Sequence, residues 1–434
     1  MVELVSLISR LKPIKVIVAG DLMLDAYVVG NVRRISPEAP VPVMIVENEH
    51  EVPGGAGNVM LNLCSLGVQV QAIGRIGIND SGIKLLESLQ LENIMTQGLV
   101  QQQDYCTPVK KRIIANNQQM LRLDYETIHP LSKALEDEII EKLPYLFLDA
   151  KALAISDYAK GFLTDRLLKA LIDYARYLEI PIIVDPKGIN FAKYSNSTLL
   201  KPNLSEAYAS VGKDFNVPIS EVAYSILQTT NAKEVMITRS EKGISLFSDN
   251  CEERHFPVEV KEVKDVTGAG DTVLAVMTHA LGNGLSTSEA CFLSNIAAGI
   301  AIEKLGCSRV TLRDLANRLL KTNSCNKIFD EQQIEVLKEL LMDREFTLLS
   351  LSCEFGLSTS MIQTIFNLAD SKRDLLIHIQ ENNPDKNFVN VLSSLQQVDY
   401  IVINQLEINV LLSIISPKEI HYFESQTLSE CNLD

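Results

Sequence analysis

The chain has 434 residues, 46% hydrophobic and 22% charged, which suffices for the cores of two or three domains and excludes a disordered polypeptide. A formal net charge of -15 sets an acidic surface against phosphate backbones and anionic lipid heads, so neither nucleic acid nor membrane insertion is expected. Eight cysteines without a C-x-x-C pair and six scattered histidines suggest no zinc site, and Cys64 and Cys291, inside apolar runs, read as buried free thiols of a reducing compartment.

The N-terminus lacks a signal-peptide pattern, and no apolar run approaches the ~20 residues of a membrane span, so a cytoplasmic protein is expected. The first strand, KVIVAGD (15–21), runs into Asp21, and Asp25 follows. Both carboxylates can accept from ligand hydroxyls, although Asp25 serves equally well as a cap. Residues 27–50 hold three prolines and short β-prone pieces. In PGGAGNVMLNLCSLG (53–67), Gly54, Gly55 and Gly57 bring backbone close to a polar ligand, and the Asn58 amide both donates and accepts. Residues 105–125 read as two short strands around a polar Ala115-Asn116-Asn117 turn. These two segments are expected as antiparallel pieces outside the main sheet, either a small β lid over a site or a hairpin without function.

Apolar runs at 68–77, 151–157, 180–186, 197–203, 234–240 and 243–248 alternate with helix-period stretches. Such alternation predicts an α/β fold with a mainly parallel sheet between helices. Ligands then bind beyond the carboxyl ends of the strands, where Asp21, Asp157, Asp185 and Asn203 fall. Asn203, with Glu206 three residues on, has the pattern of a capping box. In DVTGAGDT (265–272) a tight glycine turn opens a helix whose amides and N-terminal partial charge suit a γ-phosphate. Asp271 then lies in the first turn, placed to accept the proton of an attacking hydroxyl. After a polar stretch at 322–330, Ile334, Leu337, Leu340 and Leu341 share one face of a linker helix, and a further unit spans 346–434. Its last ~10 residues are polar and expected to fray.

DVTGAGDT and PGGAGNVMLNLCSLG, in that relative placement, resemble the two signatures of the ribokinase (PfkB) family of carbohydrate kinases. The resemblance implies a β lid, ATP and Mg²⁺, and a monovalent cation as a further expectation. It makes Asp271 the base and the amides of Gly268, Ala269 and Gly270 the anion hole. Asn203-Leu204-Ser205-Glu206 looks like the family's N-x-x-E motif, which organises Mg²⁺ and water around the triphosphate. Thr238, Arg239, Gly243 and Thr267 would border the nucleotide, with Asn295 and Ala298 beside adenine, although helix packing accounts for such small residues equally well. Asp21, Gly54, Gly55, Asn58, Lys110, Arg112 and Lys187 are the substrate candidates; Lys111 and Arg122 are further cations of the lid segment.

RRISPEAPVPV, KKRIIANNQQMLRLDYE, SDYAKG, VDPKG and TLLKPNLSEA are similar to one branch of that family, the kinase domains of bifunctional heptose kinase/adenylyltransferases. That branch phosphorylates the anomeric oxygen of D-glycero-β-D-manno-heptose 7-phosphate on the route to ADP-heptose and the lipopolysaccharide core. The resemblance covers roughly residues 14–320; with the polar stretch and linker helix it gives an expected kinase domain over 1–322, a linker helix over 323–345 and a nucleotidylyltransferase-like domain over 346–434. The last has Ser358-Thr359-Ser360-Met361 where an adenylyltransferase carries H-x-G-H, so that activity is expected to be lost. A homodimer is expected. Another sugar or nucleoside kinase of this type, or a sugar-binding regulator without turnover, remains an alternative; the glycine turn with Asp271 speaks against the regulator.

Overall fold

Val16–Ala19 is a β-branched, fully apolar run, and all four residues are completely buried. They form the middle of β1 (Lys15–Gly20). The computed structural model describes residues 4–431 apart from 117, 250–252, 259–262, 305, 323–326, 343, 370–372, 382–383, 404–407 and 425–426. Two long strands follow, β2 (Leu22–Ile35) and β3 (Pro42–Gly55), then β4 (Gln69–Gly77) and β5 (Met95–Gln102). A pair, β6 (Val109–Ala115) and β7 (Gln118–Tyr125), precedes β8 (Ala150–Ser156), β9 (Ile182–Asp185), β10 (Leu199–Leu200), β11 (Glu234–Thr238), β12 (Ile244–Ser248) and β13 (Glu253–Phe256).

Nine of these make one sheet in the order β13-β12-β11-β10-β9-β8-β1-β4-β5. From β11 to β5 the neighbours are parallel; β12 and β13 extend the sheet antiparallel. Ile17, Ala19, Leu153, Ile155 and Val184 share one core with residues of helices Lys133–Leu146, Asp165–Tyr177 and Ile219–Thr230. Val16 and Val18 point to the opposite face by the alternation of a strand. Helices Ala56–Ser65 and Ala269–Gly282 also pack against β1 and β8. The edge strand β5 was not legible as a strand, because MTQGLVQQ is polar and only its Gly98 and Val100 are buried.

The remaining strands form a separate four-stranded sheet, β3-β2-β6-β7. Its strands are longer than the short pieces expected, and β2 pairs with β6 in parallel, which corrects the all-antiparallel expectation. The reason is that β2 and β6 come from segments about 80 residues apart in the chain, joined through the main sheet rather than by a hairpin. Asn116 adopts a positive φ of 51° at the turn; Asn117 lies outside the described residues.

The chain separates into two compact units, 12–311 and a second made of 1–11 with 312–434. The boundary thus precedes the expected one at 322. Helix Leu312–Thr322 buries Leu315, Ala316 and Leu319 and packs on helices Leu4–Ser9 and Ile334–Leu341, whose apolar faces need the same cover. The 323–345 stretch also carries a strand, β14 (Ile328–Phe329), besides its helix; 323–326 and 343 lie outside the described residues. The second unit's sheet adds β15 (Phe346–Leu351), β16 (Asp374–Ile379), β17 (Tyr400–Ile403), β18 (Glu419–Glu424) and β19 (Thr427–Cys431) in the order β14-β17-β16-β15-β18-β19. All its pairs are parallel except β18 with β19. Cys291 is buried as expected, whereas Cys64 is only half-buried.

Candidate active site

The turn before helix Ala269–Gly282 is held by Asp265, whose carboxylate accepts from the amides of Thr267 at 2.9 Å and Gly306 at 3.0 Å. Gly268 sits at φ 79°, and a side chain there would lie 2.7 Å from Asn58 Nδ2, so only glycine fits. The helix behind it has 14 residues, and its first-turn amides and dipole face the turn. Thr267, Gly268 and Ala269 are half-buried and Gly270 is exposed.

Asp271 is 5% exposed in the first helical turn. Its Oδ2 accepts from Asn58 Nδ2 at 2.8 Å and its Oδ1 from the Tyr158 hydroxyl at 2.8 Å. Burial pushes the carboxyl up to about 6, against the pull of these two donors. Asp185 raises it further and Lys201 lowers it. The buried Lys201 ammonium pairs with Asp185 at 2.8 Å. A methyl group placed on Gly270 would lie 3.7 Å from Lys201 Nζ, so a cation stands beside the glycine turn.

The lid supplies the opposite wall. Arg112 forms an ion pair with the buried Asp25, and its guanidinium lies 5.4 Å from the centre of the Tyr27 ring. Gly54 is required by close approach, because a Cβ there would sit 2.2 Å from Asp25 Oδ2. Lys110 Nζ lies 5.4 Å from the centre of the Tyr158 ring, and burial lowers its pKa. Cys307 joins lid and turn: its Sγ is 3.5 Å from the Tyr27 hydroxyl and 3.4 Å from a Cβ built on Gly268.

The other expected site residues have partners within the protein. Asp21 accepts from the amides of Tyr158, Lys160 and Phe162, so its carboxylate holds a loop. Gly55 packs between the Asp21 carbonyl and Met23. The Lys187 ammonium pairs with Glu206 at 2.6 Å. Asn203 and Glu206 form a complete capping box at the start of helix Leu204–Val211, with Ser205 exposed in its first turn. Thr238 bridges to Asn203 from the next strand. Arg239 donates its amide to the Gly243 carbonyl, and Gly243 lies against the Phe256 carbonyl. Asn295 donates to the Pro257 carbonyl at 2.7 Å, so its amide secures that same segment.

Sequence reasoning missed Tyr158, Lys201 and Cys307. Lysine at the end of the apolar STLLKP strand was a signal for one of them: Lys201 is 3% exposed, and a buried ammonium needs a partner. Among the described residues no three His, Cys, Asp or Glu side chains gather to hold a metal ion. Glu206 and Asp185 are each engaged by a lysine, so these residues fit a Mg²⁺ ion carried by phosphate oxygens and water, not one caged by protein. The glycine turn, open at Gly270, fits a phosphate.

The pfkB family carbohydrate kinase model matches residues 14–314. The "Bifunctional protein HldE" of Histophilus somni is 37% identical over 404 residues, covering 89% of this chain and 84% of that protein. The Pasteurella multocida protein of the same description is 42% identical over 312 residues, covering 72% and 64%. Among solved structures, phosphofructokinase-2 from Escherichia coli in complex with potassium superposes with a TM-score of 0.61 at 21% identity, over 71% of this chain and 99% of that one. Arabidopsis thaliana ribokinase complexed with ribose and ATP gives 0.55 at 18% identity, over the same shares. At these identities the solved structures bear on the fold alone. No helix among the described residues is long and apolar enough to cross a membrane.

Proposed function

Because the chain belongs to the pfkB family of carbohydrate kinases, we propose that it transfers the γ-phosphoryl group of MgATP to the anomeric oxygen of D-glycero-β-D-manno-heptose 7-phosphate. The product, the 1,7-bisphosphate, would feed ADP-heptose and lipopolysaccharide core synthesis. The observation that carries the reading is Asp271, buried in the first helical turn directly after an open glycine turn and held by two donors. The heptose rests on similarity to the bifunctional relatives and on the branch motifs from RRISPEAPVPV to TLLKPNLSEA.

Asp271 accepts the proton of the attacking hydroxyl. With its carboxyl at about 6, it is ionised at neutral pH yet basic enough to take that proton. The amides of Gly268, Ala269 and Gly270, with the helix dipole behind them, stabilise negative charge on the transferred group. Lys201 adds a positive charge beside the turn. Asn203 and Glu206 would hold Mg²⁺ through water, and the ion would supply positive charge to the phosphate oxygens. Lys110 and Arg112 hold the remote phosphate of the sugar, Arg112 by exchanging part of its Asp25 pairing for a bidentate grip. Lys187, paired to Glu206, serves the nucleotide end instead.

The second unit makes no ADP-sugar in this proposal. Ser358 Oγ accepts from the Met361 amide at 3.1 Å and so caps a helix, and Met361 is fully buried. Neither side chain offers the positive charge of two histidines. Glu381 already occupies the loop after β15, accepting from the Cys353 amide and the Ser352 hydroxyl. A homodimer is proposed too, supported by Ile35, Val41, Ile45 and Leu121, each more than half exposed on the lid.

The test is a kinase assay of the purified chain with MgATP over a panel of sugar phosphates, with product followed by phosphorus NMR. The heptose 7-phosphate should be turned over with the highest kcat/KM, and neither ADP-heptose nor pyrophosphate should form when heptose 1-phosphate is supplied. Preference for another sugar would overturn the substrate, and robust pyrophosphate release would overturn the loss of the second activity.

A further inference from the structure

The loop joining β8 to helix Asp165–Tyr177 is more heavily braced than a connection requires. Asp21, at the end of β1, accepts from Tyr158 N at 2.9 Å, Lys160 N at 3.1 Å and Phe162 N at 3.4 Å. Asp157 accepts from Ala159 N at 2.7 Å and is itself fixed by the Tyr194 hydroxyl at 2.6 Å and Lys193 Nζ at 2.7 Å. Between these braces Ala159 is held at φ 55°, a left-handed conformation unfavourable for a residue with a Cβ. Strain of this kind persists only where surrounding contacts over-determine it. What the bracing delivers is one side chain: the Tyr158 hydroxyl, 2.8 Å from Asp271 Oδ1.

We propose that Tyr158 is a positioning residue for the reaction, its hydroxyl holding the Asp271 carboxylate ionised and aimed at the substrate, and that Asp21 and Asp157 act through it. This rests on Asp271 being the base. The phenol donates one hydrogen bond to Oδ1 while the Asn58 amide donates to Oδ2, and each carboxylate oxygen keeps a lone pair for the incoming hydroxyl. The groups that face Asp271 are Asn58 from helix Ala56–Ser65, Tyr158 from the loop, Asp185 from β9, Lys201 after β10, and the Cys307 thiol. Lys201 is tied to Asp185, and the thiol, pushed up to about 12, stays neutral. The two neutral donors are therefore the direct hydrogen-bond partners that stabilise the charged base. A tyrosine serving only as packing would leave the titration of the base unchanged.

The experiment is a kcat/KM–pH profile with MgATP and the preferred sugar phosphate from the panel, for the wild type, Tyr158→Phe and a protein carrying a fluorinated tyrosine at 158. Phenylalanine removes the donor, so the acid limb should move up by about one pH unit, while KM for MgATP stays within about twofold. The fluorinated phenol is a stronger donor of nearly the same shape and should move the limb down. Infrared difference spectra of the carboxylate stretch, with Asp271→Asn as the blank, should follow the same order without turnover. Acid limbs coincident with the wild type in both proteins would overturn the proposal. If Tyr158→Phe fails to fold, the fluorinated protein alone decides by the direction of its limb. Activity retained by Asp271→Asn would overturn the base assignment and this inference together; an inactive Asp271→Asn with unmoved limbs overturns only the inference.

Discussion

Replacing Asp271 with asparagine changes one atom of a side chain that is 5% exposed, and it separates catalysis from stability. The amide cannot take the substrate's proton, so kcat should fall by about 10²–10⁴-fold with MgATP binding retained. Stability should move the other way. The native carboxyl sits at about 6 against a reference of 3.8, so the folded state holds its proton more tightly than the unfolded chain. Stability from this group is therefore complete below 3.8 and is lost as pH rises through 6. A difference of 2.2 units, 6 minus 3.8, corresponds to about 3 kcal/mol, of which about 2 kcal/mol falls between roughly pH 4.5 and pH 7.5. Asparagine lacks this dependence. Urea unfolding of both proteins at those two pH values should show the variant gaining about 2 kcal/mol on the wild type as pH rises. An unchanged difference would refute the desolvated carboxylate, and a kcat within about tenfold of wild type would refute the base.

Two further substitutions probe the walls of the site. Arg112→Ala should raise KM for the sugar phosphate much more than KM for ATP, and should destabilise the fold by about 3–5 kcal/mol because Asp25 is left buried and unpaired. Adding Asp25→Asn should recover stability in thermal unfolding without restoring the sugar-phosphate KM; an effect confined to ATP would place the arginine on the wrong side. Glu206→Gln should cost only about 1 kcal/mol of stability, since glutamine can keep the capping box, but should raise the Mg²⁺ concentration needed for half-maximal rate. A collapsed melting temperature with unchanged Mg²⁺ dependence would assign Glu206 to the cap alone.

DVTGAGDT and PGGAGNVMLNLCSLG are local and carried the resemblance to the pfkB family. The alternation of apolar strands with helices is a local pattern too, and it determined the α/β class from sequence. Residues such as Val16–Ala19 can be read in this way because burial on both sheet faces demands an unbroken apolar run. The polar edge strand β5 escaped because an edge needs no such run. The partners of each side chain were decided only in three dimensions. Asp21 resembles a ligand in sequence but takes three loop amides, and Lys187, a substrate candidate by its place after the VDPKG strand, pairs with Glu206. Helix Leu312–Thr322 follows the kinase segment in the chain, yet its apolar face is covered by the second unit. Tyr158 is 113 residues from Asp271 along the chain, and no spacing rule links them; the contact exists because β8 and helix Ala269–Gly282 pack together. Hydrogen bonds and ion pairs reach about 3 Å and are specified by tertiary geometry, whereas patterns along the chain report only which faces are buried.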